Sequence, residues 1–306
     1  LLYINNNMIV VIYPTGTKRS IHMNHFASEA ELADADVKYI TTEQFLSIPM
    51  PQWEPDTIFL IRVGATTITE ILHVLEQYYS KGFTIFPNFP AIKNCLKKGV
   101  FSDLCKQNDI KTPETTYFSK TDEKHWKHFP FWEWGQCVIK PSQGSLGDGI
   151  YCVEGTDVAG RIEQIIKTQD EFYEDCDIIV QQRIVNKKNI PESIRVFCFM
   201  GEPTCSITLT NSVLDTVSNL GNGGIAGPYF PNEQLKEQCR KICKATGIEF
   251  TAIDFVQDQQ GQYYCLEANI APHLYRAYTI HSGKVNHPKM IFNYLLDKSK
   301  KDSIIL

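Results

Sequence analysis

The segment 249-EFTAIDFVQDQQGQYYCLEANIAP-272 constrains this 306-residue chain more than any other, because its pattern reads as a β-hairpin. Two runs rich in Phe, Ile, Val, Tyr and Leu flank Asp258-Gln259-Gln260-Gly261, which reads as the turn. Symmetric pairing across that turn sets Asp254 opposite Cys265. Side chains alternate with a period of two, so Glu267 and Asn269 share the face of Asp254, with Glu267 its diagonal neighbour. Like charges so placed repel unless a cation lies between them. All three side chains offer hard oxygen donors, which suit Mg²⁺, an ion usually held by a few protein groups and by substrate phosphates. A solvated face of ordinary polar residues accounts for the same pattern, and the hairpin alone does not separate the two.

Residues 137-CVIKPSQGSLGDGIYCVEG-155 tilt the balance toward phosphate chemistry. An apolar strand runs through Lys140 into a loop carrying Gly144, Gly147 and Gly149, and a second apolar strand follows at Ile150–Val153. Glycines let backbone N–H groups approach an anion closely, and a lysine at a strand end adds a point charge for phosphate oxygens. The lysine comes first and the loop leads into a strand. Walker and Rossmann loops lead into a helix, so both are poor matches. Taken alone, the loop also reads as a glycine-rich surface hairpin.

Composition narrows the classes. A chain of this length supports two or three compact units. Its 43% hydrophobic and 21% charged residues are ordinary for a globular protein. A net charge of −5 offers no global basic field for nucleic acid or an anionic membrane, and no apolar run approaches the roughly 20 residues that span a bilayer. The opening Leu1-Leu2-Tyr3-Ile4-Asn5-Asn6-Asn7 lacks the marks of a signal peptide and reads as a tag remnant or a lead-in to the first strand. The ten cysteines form no C-x-x-C pair, which favours free buried thiols in a reducing cytoplasm. His22 and His25 lie three apart and isolated, so no metal role is expected of them.

Apolar runs at Met8–Tyr13, Thr57–Val63 and Phe83–Phe86, with a helical pattern over Thr66–Tyr79, give a βαβ rhythm and predict a small open α/β unit. Residues 24–35 read as a helix or an irregular excursion. Residues 91–110 read as one helical block weakened by Gly99, and the aromatic stretch 121–135 as a loop or short helix. Further on, a helix at 157–169, a strand at Asp177–Arg183 and a hairpin of Ile194–Met200 with Thr204–Leu209 are expected. A helix at 233–246 with Asn232 as its N-cap, an irregular tail after the 249–268 hairpin and a last helix at 287–298 complete the reading.

In this order the segments resemble an ATP-grasp enzyme, most closely the RimK-type carboxylate–amine ligases. LIRVGAT (60–66), AIKNCLKKGVFSDLCKQNDIKTPET, VIKPSQGSLGDGI, IIVQQRI, SIRVFCFMGEP, SNLGNGG and IDFV…LEANIAP are each similar to a segment of that family. The resemblance implies an ATP-grasp fold of mixed α/β class: an N-terminal α/β domain over 1–90, a central subdomain over 91–180 and a C-terminal subdomain over 181–306, the last two clamping ATP. It implies that Lys98 and Lys140 neutralise phosphates, that Gly144, Ser145, Gly147 and Gly149 cover them, and that Gln181, Gln182, Arg183 and Ile184 form the adenine hinge. Asp254, Glu267 and Asn269 would hold Mg²⁺, two ions being expected and Mn²⁺ a substitute. Arg195 and Asn219 would lie by the γ-phosphate and the developing acyl phosphate.

The reaction so implied is ADP-forming amide synthesis on amino acid or peptide substrates. Where the family carries paired arginines this chain has Leu209-Thr210, and Pro272-His273 replaces Pro-Gly. Both departures fall where substrates bind, which turns attention to Arg276 for a substrate carboxylate, His273 as an amine-side base and Arg62 from the first domain. A kinase on the same scaffold and a non-catalytic nucleotide-binding module are the competing readings. The segment 205–230 has no basic residue, against a polyphosphorylated substrate. No nucleic acid or membrane partner is expected, and an isologous dimer is the default assembly.

Overall fold

The computed structural model describes residues 8–16, 21–142, 148–174, 176–188, 190, 192–211 and 225–302. Three sheets organise them. In the first, β1 (Ile9–Tyr13), β2 (Val37–Thr41), β3 (Ile58–Ile61) and β4 (Thr84–Phe86) run parallel in the order β2-β1-β3-β4. Helices α1 (Ile21–Leu32), α2 (Thr42–Ser47) and α3 (Ala65–Ser80) make the connections. The central strands IVVIY and IFLI are continuously apolar because both faces of a parallel sheet are covered. Strand β2, absent from the expected elements, is a half-exposed edge whose VKYIT lacks such a run. Its end is set by Thr41, which accepts from Gln44 N–H and donates its own N–H to Gln44 Oε1, a capping box opening α2. Chain connections leave β1 and β3 in opposite directions, so their C-terminal ends border a crevice, and Arg62 follows β3 there.

The expected single helix over 91–110 is two, α4 (Phe89–Leu96) and α5 (Lys98–Gln107). The break falls at Lys97, whose backbone is extended (φ −99°, ψ 120°), two residues before Gly99. Gly99 is instead a packing position: a Cβ there would stand 3.2 Å from the Tyr117 ring.

The second sheet is antiparallel, in the order β5-β8-β6-β7, built from β5 (Thr115–Phe118), β6 (Gln136–Pro141), β7 (Tyr151–Glu154) and β8 (Ile178–Gln182). Helices α6 (Glu123–His128) and α7 (Val158–Thr168) accompany it. The aromatic stretch becomes α6 and a 3₁₀ turn over Phe131–Trp134, and Trp126 and Phe131 enter this unit's core with Ile139, Ile162 and Tyr173.

The third sheet, β11-β10-β9-β12-β13, is antiparallel and comprises β9 (Glu192–Phe199), β10 (Glu202–Thr210), β11 (Ile225–Tyr229), β12 (Phe250–Gln257) and β13 (Tyr263–Asn269). One face packs α4, α5 and α8 (Glu233–Thr246) through Ile194, Val196, Ile253 and Phe255. The other packs α9 (Tyr275–Ile280), α10 (His287–Asp302) and α1 through Phe197, Ile207 and Phe250. All ten cysteines are free thiols and eight are buried, most of them in these cores. Among the described residues no helix is long and apolar enough to cross a membrane.

Candidate active site

The hairpin β12–β13 places the acidic residues differently from the symmetric reading. Its loop holds five residues, 258–262, because Asp258 N–H donates to Gln262 O and the Asp258 carboxylate accepts the N–H groups of Gln260 and Gln262. Gly261 supplies the left-handed turn residue (φ +86°). Pairing therefore starts at Gln257–Tyr263 and sets Phe255 opposite Cys265. A bulge at Leu266 then advances the register again, so Asp254 faces Glu267 directly, where a diagonal relation was expected. The two carboxylates come together by two register steps that the strand pattern does not display.

Cations converge on this pair from all three sides. Arg195, the register partner of Asp254 on β9, donates through Nε to Oδ1 at 2.7 Å and through Nη2 to Oδ2 at 2.6 Å. Asn269 Nδ2 lies 3.3 Å from both Asp254 Oδ2 and Glu267 Oε1. Lys98, the first residue of α5, brings its ammonium to 3.6 Å from Glu267 Oε2. Lys140 on β6 is buried and donates to Gln181 Oε1 at 2.8 Å, while Gln181 Nε2 donates to Thr115 Oγ1 at 2.8 Å. The Gln181 side chain thus serves the lysine, and Thr115 is a supporting residue that sequence reasoning missed because β5 was not expected.

The charges answer to these neighbours. Burial, then Lys98, lowers the Lys140 pKa to about 8, against an upward pull from Glu267. Burial alone would raise the Glu267 carboxyl, but Lys98, Lys140 and Arg195 hold it below the usual range. Burial raises the Asp254 carboxyl, and Arg195 opposes that rise. Burial works against the Arg195 charge, yet Asp254 holds its pKa above the ordinary value.

Of the hinge residues, Gln182 N–H donates to Glu114 O and Arg183 N–H to Gln136 O, so both amides are used within the sheet, and Ile184 follows half-buried. Gly149 (φ +67°) lies under Phe172, whose Cβ would stand 2.6 Å from an added Cβ, and the Tyr173 hydroxyl donates to Gly149 O at 2.6 Å. Gly144, Ser145, Gly147 and Asn219 lie outside the described residues.

Beyond β13, Arg62 is buried against the Phe26 ring and donates to Pro272 O at 2.6 Å, tying the first sheet to the segment after the hairpin. Burial lowers its pKa to about 9. Arg276 on α9 is exposed. His273 is exposed by area, yet enough protein surrounds the ring to disfavour its charge, and with Arg62, Arg276 and Arg195 this lowers its pKa.

The donor chemistry fits a hard divalent cation. Two facing carboxylates and an amide oxygen carrier lie within reach of one another, with three cations around them to meet phosphate oxygens.

Residues 97–294 match the family model of the RimK-like ATP-grasp domain. The uncharacterized protein MG012 of Mycoplasma genitalium (strain ATCC 33530 / DSM 19775 / NCTC 10195 / G37) is 25% identical over 207 residues, covering 62% of this chain and 66% of that protein. Among solved structures, the ATP-grasp ligase PsnB, complexed with a minimal precursor variant, Mg and ADP, superposes with a TM-score of 0.68 at 16% identity, over 96% of this chain and 99% of that one. D-cycloserine synthetase DcsG superposes with a TM-score of 0.74 at 13% identity, over 96% and 100%. The likeness to both structures is one of fold.

Proposed function

Because this chain belongs to the RimK-like ATP-grasp family, we propose that it is an ATP-dependent, ADP-forming carboxylate–amine ligase acting on an amino acid or peptide. The observation that carries this reading is the meeting of Asp254, Glu267 and Asn269 with Arg195, Lys98 and Lys140 at one place, from strands and a helix far apart in sequence. A carboxylate is a poor electrophile, and phosphorylation makes it a good one. Transfer of the γ-phosphoryl group from ATP to a carboxylate oxygen releases ADP and leaves an acyl phosphate. An amine nitrogen then attacks the carbonyl carbon, the C–O bond to phosphate breaks, and inorganic phosphate and a proton leave.

Phosphoryl transfer asks the protein for positioned charge more than for covalent help. Lys98 and Lys140 would grip the phosphates, Gln181 would orient Lys140, and Arg195 would meet the travelling phosphoryl group. Mg²⁺ held by Asp254, Glu267 and Asn269 would add Lewis-acid neutralisation of the phosphate charge. Arg276, exposed on α9, suits a substrate carboxylate, Arg62 supports this region through Pro272, and His273, with its lowered pKa, suits acceptance of the amine proton. Support for a peptide or amino acid substrate comes from PsnB, solved with its precursor peptide and AMPPNP. Ten free thiols fit a cytoplasmic setting, and a homodimer completes the reading.

The test measures ATP turnover with Mg²⁺ across amino acids, dipeptides and short peptides, reading phosphate and product mass together. Phosphate release that needs both a carboxylate and an amine, with a product of their summed mass less water, is the expected result. It should vanish in the double variant Asp254→Asn/Glu267→Gln. A stable phosphorylated product would replace the ligase by a kinase, and nucleotide binding without turnover would favour a binding module.

A further inference from the structure

Each of the four carboxylate oxygens assigned above to a divalent cation already faces a donor from the chain. Arg195 takes Asp254 Oδ1 and Oδ2 at 2.7 and 2.6 Å, Asn269 Nδ2 lies 3.3 Å from Asp254 Oδ2 and Glu267 Oε1, and Lys98 lies 3.6 Å from Glu267 Oε2. The Arg195–Asp254 contact is the tightest and the only bidentate one of the three. It is built into the sheet, since the two residues are direct partners of β9 and β12. Only 21% of the Arg195 side chain and 10% of the Asp254 side chain is exposed, so solvent screens the pair weakly.

Resting on the ligase reading, we propose that Arg195 is a resident counter-ion of Asp254 that gives way to the divalent cation, and that the released guanidinium then receives the terminal phosphate of the nucleotide. A buried carboxylate stripped of its only close cation, or a guanidinium stripped of its anion, is strongly disfavoured. Removing Arg195 from Asp254 therefore needs two replacements at once: a cation for the carboxylate and an anion for the guanidinium. A planar guanidinium suits the second task, because it binds carboxylate and phosphate with the same bidentate fork. Asn269 would turn its amide over in the same exchange, since it now presents N–H groups where a cation needs its oxygen. Metal and triphosphate then bind as a coupled pair, each raising the affinity of the other by the same factor. Neither is expected to bind tightly alone.

The full-length chain tests this with Mn²⁺ as the probe and no nucleotide present, reading the free-ion signal by electron paramagnetic resonance. The wild type should bind Mn²⁺ weakly. Arg195→Met should bind it at least about tenfold tighter, the smallest change a neighbouring charge usually makes to a carboxylate's affinity for a proton. A second measurement is made on the wild type and uses the charge-conserving Arg195→Lys only to assign a resonance. In wild-type protein labelled with ¹⁵N-arginine, the Arg195 Nε–H resonance, assigned by its absence from Arg195→Lys, should shift and lose its Asp254 partner's exchange protection when Mg²⁺ and AMPPNP fill the site together. Mn²⁺ binding that requires Asp254 and Glu267 but is indifferent to Arg195, or a stationary resonance at saturating Mg²⁺ and AMPPNP, would overturn the proposal and leave the metal site standing. Mn²⁺ binding unaffected by Asp254→Asn/Glu267→Gln, with or without ADP, would overturn the site itself and the proposal with it.

Discussion

Lys140 holds its charge in a place that resists it. With a pKa near 8 in the fold, against about 10.4 in an unfolded chain, it makes the unfolded chain the stronger proton binder between those values. Stability should therefore rise with pH across that window, while affinity for a triphosphate, which needs the ammonium, falls. Bound phosphate should restore the proton. Calorimetry in buffers of different ionisation heat should show proton uptake on nucleotide binding near pH 8, lost in Lys140→Met. His287 behaves in the opposite range. It is buried against the Phe197 and Phe250 rings, and its Nε2 donates to Thr204 Oγ1 at 2.7 Å because the threonine proton is given to Phe197 O. Burial, then Arg62, lowers its pKa to about 4. The unfolded histidine takes a proton first, so stability is full above about 6.5 and is lost as pH falls toward 4, by on the order of 3 kcal/mol. Urea denaturation between pH 4 and 7 should show that slope in the wild type and a flatter one in His287→Gln.

At the level of elements, long apolar and amphipathic segments were readable and short or irregular ones were not. The helix expected at 233–246 is α8 at those same bounds, with Asn232 Oδ1 accepting Leu235 N–H at 2.9 Å. Asn232→Ala should cost about 1 kcal/mol in urea denaturation, as an N-cap loss usually does. Strands β2, β5 and β11, of four or five residues at sheet edges, carry too little pattern to be seen, and α9 has only six residues. In the site, the residue types at Lys98, Lys140, Arg195, Asp254, Glu267 and Asn269 were legible from their segments. Their contacts were not. The direct meeting of Asp254 and Glu267 depends on a five-residue loop closed by hydrogen bonds at Asp258 and on a bulge at Leu266, neither of which leaves a periodic trace. The Arg195–Asp254 pair depends on which strands of the third sheet are neighbours, a fact of topology for residues 59 apart.

Across the whole molecule, nucleotide binding would join two sheets that touch sparingly. Lys140 and Gln181 belong to the second sheet, and Asp254, Glu267 and Arg195 to the third. One direct tie runs from Lys98 N–H, on the α5 helix that packs the third sheet, to Ser142 O just after β6. A ligand gripping both sides at a hundred times its Kd should stabilise the fold by about 2.7 kcal/mol. Thermal unfolding with Mg²⁺ and AMPPNP should show the gain, and Asp254→Asn/Glu267→Gln should abolish most of it. The second sheet also enters and leaves the body at one point, since it begins at Thr115, ends at Gln182, and Gln182 N–H donates to Glu114 O at 2.8 Å. Such a unit is a cassette. Recombination at those two neighbouring positions would graft a different phosphate-gripping unit onto unchanged substrate walls, giving evolution, or an engineer, a way to alter cosubstrate choice without redesigning the acceptor pocket.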